Sequence, residues 1–135
     1  MRDDRRRARA GVPAQARCYT GDDGQGSFYW IALPEGWKNA EGVLVMHAHG
    51  GPADTGPARL ERSEEDLKRW AITVKAGYAW AGATYRRGGY GVRMAAADVD
   101  VSRRVFWSRF SAMIRSRPGW ASPLVPFDRS DWKAE

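Results

Sequence analysis

Cysteine and histidine are scarce in this 135-residue chain: one cysteine, Cys18, and two histidines, His47 and His49. A single cysteine excludes an internal disulfide. Two histidines leave no third imidazole for a catalytic zinc, which takes about three protein ligands. No metal or cofactor is therefore expected. No apolar run approaches the roughly 18–20 residues of a membrane span, and the mean hydropathy is −0.60, so no membrane partner is expected either. Ala14-Gln15-Ala16 has the form of a signal-peptidase site, but no apolar stretch precedes it, and no signal peptide is assigned. These absences lean toward a cytoplasmic setting, and the Ala- and Arg-rich composition suits a GC-rich bacterial source.

The net charge of +6 is unevenly spread. Residues 1–17 carry +4, residues 18–85 carry −3 and residues 86–135 carry +5. The stretch with the strongest folding signals is thus slightly acidic. The N-terminal excess lies in Arg, Ala and Asp without hydrophobic period, which reads as a solvated basic arm. A nucleic-acid partner is not expected, because no strand alternates aromatic and basic residues as a base-stacking platform requires.

With 43% hydrophobic residues the chain holds enough apolar material for one small domain. Residues 1–25 read as basic arm and turn, the turn being the Gly- and Asp-rich stretch at 18–26. Residues 26–117 read as the folded part, and residues 118–135 as an irregular tail. Ser27 to Leu33 is aromatic and β-branched between Gly26 and Pro34, which marks a strand. Val43 to Ala48 is continuously apolar, the habit of a parallel strand buried on both faces. Ser63 predicts a helix N-cap, followed by Glu64, Glu65 and Asp66 in the first turn. Leu67, Trp70, Ala71 and Val74 then form one apolar stripe, and Gly77 suits the C-terminal turn. Tyr78 to Tyr85 reads as a second buried strand. A helix is predicted from about Val92 to Ile114, stopped by Pro118-Gly119, with Ala95, Val99, Phe106, Phe110 and Met113 on one face. Strands alternating with amphipathic helices predict an α/β fold, mostly parallel, with flanking helices.

The junction Val-Leu-Val-Met-His-Ala-His-Gly-Gly-Pro at 43–52 carries the strongest chemical signal. Ligand sites in open α/β sheets form beyond the carboxyl ends of strands. Two successive glycines there allow a sharp turn, and their N–H groups suit a developing oxyanion. His47 and His49 have the spacing of a metal pair, but no third ligand accompanies them. The turn Arg86 to Gly91 matches neither dinucleotide nor P-loop spacing.

In this order, the aromatic strand, the Pro-Glu-Gly-Trp-Lys-Asn loop, the apolar strand into His-Ala-His-Gly-Gly-Pro, and Gly-Tyr-Ala-Trp-Ala-Gly-Ala-Thr-Tyr-Arg-Arg-Gly-Gly-Tyr-Gly resemble a known arrangement. It is the N-terminal half of α/β-hydrolase fold enzymes of the esterase and peptidase type. The resemblance spans about residues 26–115 and implies a partial α/β-hydrolase fold acting on ester or amide bonds. It implies that Gly51, with Gly50, supplies an oxyanion-hole N–H and that His49 shapes the loop. The family's G-x-S-x-G nucleophile elbow does not occur in the sequence, and no histidine follows any candidate serine. The expectation is a catalytically incomplete fragment whose apolar strand edge favours self-association. The other class is a non-enzymatic binding module with a basic arm.

Overall fold

The sequence Ala-Trp-Ala-Gly-Ala at 79–83 is buried at every position, and the sheet is built around it. The computed structural model describes residues 2–3, 11–37, 42–50, 56–88 and 91–115. Five strands form one sheet: β1 (Arg2–Asp3), β2 (Arg17–Asp22), β3 (Phe28–Leu33), β4 (Leu44–His47) and β5 (Ala79–Ala83), in the order β1-β2-β3-β5-β4. Helices α1 (Leu60–Arg69) and α2 (Ala71–Lys75) lie between β4 and β5, and α3 (Val92–Arg115) follows β5.

The sheet is mixed, and this corrects the expected mostly parallel sheet of a partial α/β-hydrolase fold. β1 with β2, β2 with β3, and β3 with β5 are antiparallel; β4 with β5 is the parallel pair. Connection chemistry is the reason. Asp23-Gly24-Gln25-Gly26 is too short for a crossover and closes a hairpin. Gly24 and Gly26 take φ of 71° and 100°, and the Asp23 carboxylate accepts from the N–H groups of Gln25 and Ser27. Between β4 and β5 the chain carries two helices, enough to return it in parallel.

A second correction concerns residues 18–26, which do not form one turn. Arg17–Asp22 is a strand whose Cys18 and Thr20 point inward, a period-two pattern overshadowed by the Gly and Asp content.

The sheet's faces separate cleanly. Cys18, Trp30, Ala32 and Trp80 pack with Leu67, Ala71 and Val74 of α1 and α2. Tyr29, Ile31, Leu33, Ala79 and Ala81 pack with Trp37, Phe106 and Phe110, which brings α3 onto the other face. β4 alternates likewise, with Val45 on the α1 side and Leu44 and Met46 on the α3 side. It is an edge strand of this sheet, half-buried along its length.

Three helix details differ from the sequence reading. Helix α1 begins at Leu60, after Arg59, which makes no side-chain cap. Ser63 instead lies inside the helix, buried, and its Oγ donates to the Gly82 carbonyl at 3.2 Å. Trp70 breaks the helix into two and is 47% exposed. Gly77 does close α2, with φ of 91°. No helix among the described residues is long and apolar enough to cross a membrane. The tail at 118–135 lies outside the described residues.

Gly82 is the tightest point of the sheet. It pairs with Trp30 on one side and His47 on the other. A Cβ there would meet the buried Trp80 ring at 2.5 and 2.9 Å. Gly82→Ala is therefore expected to cost about 1–3 kcal/mol through overpacking, read as a lowered urea midpoint. An unchanged midpoint would show that the indole has room to move.

Candidate functional site

β4 and β5 run parallel and end side by side, at His47 and Ala83. Beyond these carboxyl ends lies a groove of about 550 Å³. Its floor is Ala48, His49 and Tyr85; its wall is the first turns of α3, with Val92, Ala95 and Val99. The lining is mostly apolar, and Asp100 and Arg103 stand at one end, where Arg103 donates two hydrogen bonds to Asp100. Burial pushes the Asp100 carboxyl up, but Arg103 and Arg104 more than offset this and hold it below the usual range.

His49 is fixed from both ends of its ring. Nδ1 lies 2.8 Å from the Gly50 carbonyl oxygen and Nε2 lies 3.2 Å from that of Thr84. The ring stacks on Tyr85, with centroids 4.1 Å apart, and the Tyr85 hydroxyl donates to the His49 carbonyl at 3.0 Å. Burial, then the charges of Asp66 and Asp98, push the Tyr85 hydroxyl pKa up, so it stays a donor. Tyr85 takes φ of 60°, left-handed backbone that a bulky side chain rarely adopts. Stacking and the hydroxyl bond hold it there.

Thr84 ties this segment back to β3: the Phe28 N–H donates to its Oγ1, which in turn donates to the Tyr85 carbonyl. Arg86 ties it forward to α3. Its backbone N–H donates to Asp98 Oδ2 at 2.7 Å, and its guanidinium donates twice to Asp98 Oδ1. The Asp98 side chain is fully buried. Its hydrogen bond to Arg86 holds the guanidinium further into its charged range. Arg86 is thus a structural clamp.

Of the three predicted site residues, the structure places two. His49 borders the groove with each ring nitrogen facing a carbonyl oxygen, to one of which the neutral ring donates its N–H. Gly50 is exposed, its φ is outside the left-handed region, and a Cβ there would meet nothing within 4 Å. Among the described residues, nothing in the packing requires glycine at 50. Gly51 lies outside the described residues. His47 turns to the α1 face and does not join His49. No cluster of three metal-ligating side chains occurs among the described residues.

The sequence reading missed Tyr85, Asp98 and Ser102. Asp98 and Ser102 are buried two turns and one turn before Phe106 on α3, so the i+4 line 98-102-106-110 was available. The two polar members hid it. Comparison with protein-family models, with curated proteins and with solved structures finds no match.

Tyr85→Phe keeps the ring and removes the hydroxyl donor from a buried carbonyl. The expected loss is about 1–3 kcal/mol of stability, with faster amide exchange at Ala48, His49 and Gly50. Exchange at these amides equal to that of the unaltered chain would show that the hydroxyl does not order the segment.

Proposed function

We propose that this chain supplies the substrate-binding half of a serine-hydrolase type site, holding a small ester or amide in the groove beside His49. In this reading the chain does not itself complete acyl transfer, because its sequence offers no nucleophile elbow with an acid and a following histidine. The observation that carries it is the groove's position. An apolar cleft at the carboxyl ends of two parallel strands is where such sheets bind ligands. Three further features support the reading. The groove is wide enough for a short acyl chain, Gly50 leaves its side-chain direction open, and His49 ties the loop to Thr84 and Tyr85. A cytoplasmic setting belongs to the same proposal, supported by a single cysteine that can form no internal disulfide.

Ligand-observed NMR with ethyl butyrate and N-butylacetamide tests the binding half. Both are expected to bind, and Ala95→Trp, which fills the groove, is expected to weaken them roughly tenfold or more, about 1.4 kcal/mol. Absence of binding, or affinity indifferent to Ala95→Trp, would overturn the assignment. Hydrolysis of p-nitrophenyl butyrate is expected to equal the buffer rate. Saturable turnover with fluorophosphonate labelling of one serine would refute the incomplete chemistry.

The open side of β4 adds a second element, self-association of the chain edge to edge. Unpaired backbone groups on an apolar edge favour such pairing, and lysine on the edge opposes it. Val43, just before β4, is 40% exposed. Sedimentation velocity is expected to show mass rising with concentration for the unaltered chain and less so for Val43→Lys. A monomer at all concentrations would remove this element.

A further inference from the structure

On the α1 side of β4, away from the groove, His47 sits in a partly closed aromatic box. Its ring stacks on Trp80 with centroids 5.5 Å apart and faces Trp70 at 6.1 Å. Its Nε2 lies 3.6 Å from Asp66 Oδ2 on α1. Neither atom has a hydrogen-bond partner among the described residues, and both are buried. The separation is too long for a hydrogen bond and too short for indifference. No hydrogen bond joins the two groups at this separation. A protonated Nε2 would instead draw the carboxylate to about 2.7–2.9 Å.

We propose that His47 and Asp66 form a proton-operated latch between β4 and α1, open with the imidazole neutral and closed when Nε2 takes a proton from solvent. The neighbours define its set point. Asp66 and Arg69 face the ring from α1, His49 from the segment after β4, and β5 contributes only the uncharged Trp80. Burial pushes the imidazole below its ordinary 6.5; Asp66 pulls it back up, while His49 and Arg69 oppose protonation. The net direction is down, so the folded chain binds this proton less readily than the unfolded one. The stability contributed by neutral His47 is complete above about pH 6.5 and is lost as pH falls through the lower folded value. Asp66 limits that loss by giving the charged ring a partner. Because β4 runs directly into Ala48, His49 and Gly50, closing the latch moves the strand end that carries the groove's floor.

The full chain has two histidines, which makes the test direct. Imidazole ¹⁵N spectra from pH 4 to 8, assigned with His49→Gln, follow each ring separately. The expected result is a His47 midpoint below 6.5, with the proton gained at Nε2 and Asp66 and Arg69 amide shifts moving with the same midpoint. Asp66→Asn is expected to lower that midpoint by roughly one unit, and Asp66→Glu to recover part of it. An unchanged midpoint in Asp66→Asn overturns the latch. Should Asp66→Asn fail to fold, the unaltered chain still decides. A neutral His47 already carrying its proton on Nε2, or titration without any response in α1, overturns it equally.

Discussion

The flat approach of the Trp80 indole over Gly82 is the contact on which the sheet depends. β5 must be narrow at that point, because β3 and β4 flank it and the Ser63 hydroxyl reaches its carbonyl from above. A side chain at 82 would displace the largest buried ring from the α1 face. The remaining residues of β5 are alanines, which let α3 pack Phe106 against the opposite face. One strand of small residues with a single large one thus sets the spacing of both layers. Close packing of this kind leaves few alternatives for the neighbouring side chains.

Much of this architecture was legible in the sequence where hydrophobic pattern and length agree. Phe28–Leu33, Leu44–His47 and Ala79–Ala83 are apolar runs of strand length, and α3 is amphipathic over many turns. Strand direction was not legible, because it depends on connections. Five residues, Asp23 to Ser27, join β2 to β3 in a hairpin, and the glycines among them disguised β2 itself as loop. The helix start moved for a related reason. Ser63 has the chemistry of an N-cap, but tertiary contact with Gly82 offers its hydroxyl a buried acceptor, and Leu60 extends the helix one turn earlier. Trp70 fell on the predicted apolar stripe, yet the helix breaks at that residue and leaves it half in solvent.

The candidate site was legible only in its location. The carboxyl end of β4 was marked by two glycines and two histidines. What holds the groove in shape was hidden, since it consists of polar groups far apart in sequence. Thr84 binds β3, Tyr85 binds His49 and Arg86 binds Asp98, so three successive residues after β5 each fasten a different element. Such a run cannot be recognised from periodicity. Its signature is a short stretch whose every side chain is polar and at least partly buried, immediately after a fully apolar strand.

The two histidines show how partner type decides what a side chain can do. His49 meets carbonyl oxygens at both nitrogens and a tyrosine ring on its face, so its ring is held in place. His47, two residues earlier, lies 3.6 Å from a carboxylate and stacks on the Trp80 indole, with Trp70 on its other side. A carbonyl positions; a carboxylate responds to charge. In the proposed latch, the peptide segment that joins the two rings carries proton uptake at the first to the position of the second. The groove's own lining titrates separately, at Asp100, whose carboxyl Arg103 and Arg104 hold below the usual range, so the two responses fall in different pH windows.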